Sequence, residues 1–154
     1  LREDLACNIP ISPGINSLEK GEIIKSIIIP KRSIYSSDSY LRFTPRSEMD
    51  IAVVSAACFI TLDKEQIIKE LNISLGAVAP SVVNIKGINN LINNSKLNDD
   101  LLSKISTICF NSCDPIDDKR GTVEFRSHVA GVLAKRAILL AHKRAGNKIE
   151  KIAH

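Results

Sequence analysis

The stretch that decides the fold is SAACFITLDKEQIIKELNISLGAV, residues 55–78. It contains two apolar runs, Ser55 to Leu62 and Ile67 to Val78, whose β-branched content is typical of strands. The polar residues Asp63 and Lys64 between the runs predict a turn. Strands joined by a short turn pair antiparallel, so the centre of the chain is predicted to form a hairpin.

The hairpin has candidate strands on either side. The sequence YLRFT (40–44) alternates its side chains, so that Tyr40 and Arg42 share one face of the predicted strand. After the hairpin, Val82 to Ile85 predicts the third strand, whereas Ser33 to Ser39 is predicted to be a polar turn. The two strands of the hairpin and this third strand are predicted to form a small three-stranded antiparallel sheet with a meander topology, which the alternating stretch 40–44 precedes in the chain.

Two features lie outside that meander. The run EIIKSIII (Glu22 to Ile29), halted by Pro30, has the β-branched composition of a strand buried by its neighbours. Asp50 is a good N-cap residue before an apolar run.

The second half of the chain predicts helices. Gly87 to Asn94 predicts a short helix, and Asn98 is expected to begin a second one that ends near Cys113. The last helix is predicted from about Thr122 to Ala145, with Gly146 just after its end. Its expected buried groups are Phe125, Val129, Val132, Leu133, the stem of Arg136 and Leu139 or Leu140. Strands followed by helices give an α+β fold with the helices covering one face of the sheet.

Length and composition bound the class of protein. The chain has 154 residues with 44% hydrophobic, 25% charged and 4% aromatic residues, which fits one soluble globular domain and a core of aliphatic side chains. The longest apolar stretch, Ile51 to Leu62, is too short to span a membrane. The four cysteines form no dense framework and predict reduced thiols in a cytoplasmic protein. Because the chain begins at Leu1 rather than Met, we expect a segment of a longer protein.

The net charge of +4 is concentrated in the basic last helix. A basic helix can bind nucleic acid, but it more often complements the helix dipole or is simply solvated. Few aromatic residues are present for base stacking, so the sequence disfavours a nucleic-acid partner.

The residues alone predict no catalytic centre. The sequence has no Gly-rich phosphate loop, nucleophile elbow or zinc-protease motif. Cys109 and Cys113 lack further ligands at matching spacing, and His128 lacks a Ser or Asp partner. The aspartates at 114, 117 and 118 are expected to form a solvated capping loop. These observations favour a non-catalytic α+β domain.

Four stretches change that interpretation. In order along the chain they are GEIIKSIIIP (Gly21 to Pro30), YLRFTPRSEMDIAVVSAA (Tyr40 to Ala57), ISLGAVAPSVV (Ile73 to Val83) and RGTVEFRSHVAGVLAKRA (Arg120 to Ala137). In sequence and in order they resemble the C-terminal part of the FAD-binding (medium) subunit of molybdenum hydroxylases, the carbon monoxide dehydrogenase and xanthine dehydrogenase family.

The resemblance implies two parts and a set of partners. Residues 1–32 would be the end of the FAD-binding domain and a linker, and residues 33–150 the C-terminal α+β domain of the subunit. The subunit would pass electrons from iron–sulfur clusters through FAD to an acceptor. Its partners would be its own FAD-binding domain, a molybdenum-cofactor large subunit and an iron–sulfur small subunit. The fragment alone is expected to be inactive, because the Gly-rich segments that hold FAD lie upstream in the family.

The resemblance also implies three FAD contacts: the backbone at Ile24 and the side chains of Tyr40 and Arg42. Tyr40 and Arg42 occupy the positions of a Tyr-x-Lys-like pattern that approaches the isoalloxazine, and Arg is a departure from the more usual Lys. On one strand face, a ring can cover a flat heterocycle while a cation favours its reduced, negatively charged form. The same residues also fit a packed edge-strand aromatic and a solvated cation. Two alternatives therefore stand: a subunit-assembly domain that never contacts FAD, and a nucleic-acid-binding module using the last helix.

Overall fold

The computed structural model describes residues 10–12, 15–29, 31–46, 51–92 and 94–152. Its strands are β1 (Pro10–Ser12), β2 (Ile15–Asn16), β3 (Ser36–Phe43), β4 (Val54–Leu62), β5 (Ile68–Gly76) and β6 (Val83–Asn84). Its helices are α1 (Ile88–Ile92), α2 (Asp99–Asn111) and α3 (Val123–Ile152). The predicted α+β class is confirmed. The N-cap predicted at Asp50 lies outside the described residues.

The main sheet is antiparallel with the strand order β3-β4-β5-β6. The predicted hairpin is its centre, since β4 pairs with β5. The Asp63 carboxylate closes the turn by accepting hydrogen bonds from the backbone N–H groups of Glu65 and Ile67, at 2.9 Å each. The hydrogen bond from Ile67 is the main reason why the pKa of Asp63 is lowered.

The sheet has four strands, one more than predicted, because the alternating stretch that contains Tyr40 and Arg42 pairs with β4 as part of β3. The expected polar turn at Ser33 to Ser39 supplies the first half of this strand. Ser36 is fully buried and Ser39 is 5% exposed. Both hydroxyls find backbone acceptors: Ser36 Oγ donates to the Ser33 carbonyl at 2.7 Å, and Ser39 Oγ donates to the Ala137 carbonyl at 2.6 Å. Burial of a hydroxyl is tolerated when it is hydrogen-bonded, so these serines can enter the core.

The helices cover one face of the sheet. The long helix α3 packs across β3 and β4, and α2 packs against α3. Asn98 caps α2 as predicted, because its side chain accepts a hydrogen bond from the Leu101 N–H at 2.8 Å.

The end and the buried side of α3 differ from the prediction. The helix continues through Gly146 to Ile152, so Gly146 does not terminate it. Phe125 and Arg136, expected to be at least partly buried, are exposed. Of the alternatives Leu139 or Leu140, Leu139 is 45% exposed and Leu140 is half-buried.

The buried side of α3 contains Leu133, as predicted, and also Ile138. Beside them runs a row of small residues that was not predicted and that lets the helix approach the sheet closely: Ala130, Ala134, Ala137, Ala141 and Ala145.

The strand predicted at Glu22 to Ile29 is not formed. These residues have no regular secondary structure, and their five isoleucines are between 50% and 86% exposed. A strand needs a partner for its backbone groups, and none of the described sheets includes this segment. Of the helices in the described ranges, none has the length and apolarity required to cross a membrane.

Candidate functional site

The face of the sheet opposite the helices carries the predicted site. In β3, Ser39 faces the helices, so the alternating residues Tyr40 and Arg42 point to the other side. The register places Tyr40 beside Ala57 and Arg42 beside Ser55 of β4. The predicted shared face is therefore confirmed. Tyr40 is 61% exposed and Arg42 is also exposed, so both side chains are available to a ligand.

A shallow cavity of about 390 Å³ lies on this face. Its lining includes the rings of Tyr40 and Phe59 and the polar side chains of Asn72, Ser74 and Arg144. Two of the polar groups are already engaged: Ser74 Oγ donates to Asn84 Oδ1 at 2.6 Å, and Asn72 Nδ2 donates to Glu70 Oε1 at 2.8 Å. Aromatic and polar groups thus converge on one cleft, an arrangement common in small-molecule sites.

Arg144 joins the cavity from the helical layer. Its Nη1 donates to the Asp38 carbonyl at 2.9 Å, which ties α3 to the outer edge of β3. The Asp38 carboxylate lies 2.7 Å from Arg32 Nη2, so the same residue also holds the segment before the sheet. This role of Arg144 was not predicted, because the sequence places the residue only within the basic last helix. A contact 106 residues apart leaves no local signal in the sequence.

Ile24 is not part of this face. It lies in the segment 22–29, outside the four-stranded sheet, and is 50% exposed. The structure therefore brings Tyr40 and Arg42 together on one surface and leaves Ile24 in a separate part of the chain. The FAD contacts of all three residues stay predictions.

The aspartates of the 114–121 loop have structural partners. Asp117 accepts a hydrogen bond from the Val123 N–H at the start of α3, and Asp118 pairs with Arg126. The Arg126 hydrogen bond is the largest cause of the lowered pKa of Asp118. Across the ranges that the structure describes, no group of three or more His, Cys, Asp or Glu residues is placed to hold a metal ion.

The cysteines of the described ranges are free thiols. Cys58 and Cys109 are buried, and burial raises the pKa of each to about 12. Cys113 Sγ donates to the Cys109 carbonyl at 3.1 Å. A thiol with a raised pKa is a poor nucleophile and a poor metal ligand, so these residues serve the core.

With this geometry established, comparison with known proteins identifies the family. Residues 39–141 match the model of the CO dehydrogenase flavoprotein C-terminal domain, which covers most of the chain. The chain therefore belongs to that family of flavoprotein domains. The match begins inside β3, one residue before Tyr40, and ends within α3.

Individual relatives agree with the family. The chain is 27% identical over 139 residues to the xanthine dehydrogenase FAD-binding subunit of Escherichia coli O157:H7, a match that covers 90% of this chain and 47% of the relative. It is 28% identical over 125 residues to the glyceraldehyde dehydrogenase medium chain of Sulfolobus acidocaldarius, which covers 81% of this chain and 43% of the relative. The chain thus spans about half the length of the curated relatives it matches.

Solved structures share the fold at lower identity. A carbon monoxide dehydrogenase from Hydrogenophaga pseudoflava superposes with a TM-score of 0.82 at 19% identity, covering 89% of this chain and 47% of that one. Quinoline 2-oxidoreductase from Pseudomonas putida 86 gives 0.81 at 20% identity, covering 92% and 48%. At these identities the likeness is one of fold.

Proposed function

We propose that this chain is the C-terminal part of the FAD-binding subunit of a molybdenum hydroxylase. In this proposal the subunit passes electrons from iron–sulfur clusters through FAD to an acceptor, in the cytoplasm, together with a molybdenum-cofactor large subunit and an iron–sulfur small subunit. The observation that carries the proposal is the family match over residues 39–141, combined with the uncovered sheet face that bears Tyr40 and Arg42.

The residues on that face fit a flavin. Tyr40 offers an exposed ring that can stack on a flat heterocycle, and Arg42, two residues along, offers a permanent cation. FAD, when bound, supplies the electron-transfer chemistry of the subunit. In the proposal Tyr40 covers the isoalloxazine, Arg42 places positive charge beside it, and the backbone at Ile24 contacts it from the upstream segment.

Residues 1–32 are proposed to complete the FAD-binding domain. Five exposed isoleucines in one short segment are unusual for a soluble surface, where apolar side chains normally occur singly. Burial of the segment 22–29 in an upstream domain would remove them from water. With this division, the ion pair between Arg32 and Asp38 connects the last residue of the proposed FAD-binding part with residues 33–150.

The role of Arg42 is tested in the full-length flavin-loaded protein with Arg42→Ala. We expect FAD affinity to fall about three- to tenfold, the size expected for loss of one typical hydrogen bond, and the flavin midpoint potential to become more negative. FAD retained on gel filtration and a reductive titration measure the two quantities. Arg136→Ala is the matched control, because Arg136 is exposed on α3. Unchanged FAD retention and potential in Arg42→Ala would remove Arg42 from the site.

An assembly role without FAD contact is the second candidate. It is favoured by exposed apolar side chains around the start of α3, where Phe125 is 41%, Val123 42% and Phe110 40% exposed. If Arg42→Ala retains FAD normally while Val123→Asp weakens association with the partner subunits in gel filtration, the assembly role is supported instead.

A further inference from the structure

The first turn of α3 holds the C-terminal end of β3. The ring of Phe125 contacts the ring of Phe43 edge-on, with centroids 5.8 Å apart and an interplanar angle of 68°. One residue later, Arg126 Nη1 donates to the Val53 carbonyl at 3.3 Å. The Val53 N–H in turn donates to the Phe43 carbonyl at 2.9 Å. Consecutive helix residues therefore fix both the ring and the backbone of Phe43, the residue after Arg42.

Arg126 is itself held rigidly. It is only 5% exposed, and its Nε donates to the Gly121 carbonyl at 3.3 Å while its Nη2 pairs with the Asp118 carboxylate. Asp118 is positioned by a hydrogen bond from the Arg120 N–H at 2.7 Å. A buried guanidinium with this many fixed acceptors has one geometry, because each unmade hydrogen bond would leave a buried polar group unpaired.

We infer that Arg126 is a positioning residue for Arg42. It acts through Val53 and Phe43, which fix where β3 ends and hence where the Arg42 backbone lies. Arg42 is the second-last residue of β3, where a strand without such support frays. The inference rests on the proposed function, in which Arg42 faces the flavin.

The test is a double-mutant cycle in the full-length FAD-loaded protein. The variants are Arg126→Lys, which keeps the charge but loses the planar set of donors, Arg42→Ala, and the two together. We expect Arg126→Lys to weaken FAD binding about two- to tenfold, within the range for coupling carried through packed and hydrogen-bonded side chains and no more than the loss caused by Arg42→Ala. In the Arg42→Ala background it should cause no further loss. Arg136→Lys, the same change at an exposed position of α3, should leave FAD binding unchanged.

A second measurement does not depend on FAD. Hydrogen exchange of the Val53 amide should accelerate in Arg126→Lys. Exchange of the Leu71 amide, which lies near the middle of β5 and donates to Asn89 Oδ1 at 3.1 Å, should not change. If Arg126→Lys does not fold, Asp118→Asn weakens the same network and is expected to change both readouts in the same direction.

The outcomes separate this inference from the proposed function. Normal FAD binding in Arg42→Ala contradicts the proposed role of Arg42 itself. Weakened binding in Arg42→Ala, combined with an additive effect or no effect of Arg126→Lys, overturns only the positioning role. Unchanged Val53 exchange in a folded Arg126 or Asp118 variant overturns it as well.

Discussion

Gly131 brings the backbones of α2 and α3 together. A Cβ at this position would lie 2.8 Å from both the backbone oxygen and the Oγ of Ser106, closer than real Cβ atoms approach other atoms. The backbone oxygen cannot rotate away as a side chain could. The helix pair therefore requires glycine here for space, although Gly131 has an ordinary helical backbone.

We predict that Gly131→Ala lowers the free energy of unfolding by about 1–3 kcal/mol, the usual cost of overpacking. Gly146→Ala is the matched control in the same helix, since its Cβ would meet only Gln66 Oε1 at 3.9 Å. Because alanine favours helix over glycine, the control should gain up to about 1 kcal/mol. Urea unfolding followed by circular dichroism measures both; equal effects of the two substitutions would contradict the close approach at Gly131.

At the scale of single elements, substitutions in the segment 22–29 are expected to have different effects on the stability of residues 1–154 alone and of the full-length protein. We predict that Ile27→Lys changes the unfolding free energy of residues 1–154 by less than about 0.5 kcal/mol, because Ile27 is 77% exposed there. In the full-length protein the same change should cost about 2–5 kcal/mol, because the side chain is proposed to be buried in the FAD-binding domain.

Ile34→Lys is the control for that comparison. Ile34 is 61% exposed and lies beyond residue 32, so its substitution should have a small effect in both proteins. Thermal unfolding of the four variant proteins gives the answer. A small effect of Ile27→Lys in the full-length protein would place the boundary of the FAD-binding domain before residue 27.

The elements that could be predicted are those whose signals are local. The 55–78 hairpin and the Asn98 cap of α2 follow from the types of residues that are close together in the sequence, and both are confirmed. The first half of β3 could not be predicted, because Ser39 owes its burial to a helix carbonyl 98 residues away. The alanine row on the buried face of α3 was not predicted for a related reason: the close approach of the sheet favours small side chains there, and that approach has no local signal in the sequence.

The candidate site was predicted only in part, because some of its residues are placed by local signals and others by long-range contacts. The shared face of Tyr40 and Arg42 follows from the two-residue period of a strand. The contributions of Arg126 and Arg144 depend on how α3 lies against the sheet. Each contacts a residue far away in the sequence, so neither contact could be predicted from local patterns.

At the scale of the whole molecule, the buried thiols give a pH dependence. Burial raises the pKa of Cys58 and Cys109 from 9.0 to about 12, so between these values the folded state retains protons that the unfolded chain releases. Stability should therefore be unaffected by these groups below pH 9 and fall as the pH rises from 9 towards 12, by up to about 1.4 kcal/mol per pH unit for each thiol.

The measurement is urea unfolding at pH 8, 9, 10 and 11, with the Cys58→Ala, Cys109→Ala double variant as the reference. The variant starts less stable because it leaves cavities in the core. It should nevertheless lose less stability between pH 9 and pH 11 than the original protein does. Parallel pH curves for the two proteins would mean that the thiols do not titrate in this window.

The alternation along β3 has a consequence for how this domain can diverge. In its second half, the odd-numbered positions Ser39 and Leu41 face the core, and the even-numbered positions Tyr40 and Arg42 face the open side. Inserting or deleting one residue ahead of Tyr40 would exchange the two sets and drive a guanidinium into the core. Descendant sequences can therefore exchange residues on the open face of this strand, but their changes in its length are restricted to pairs.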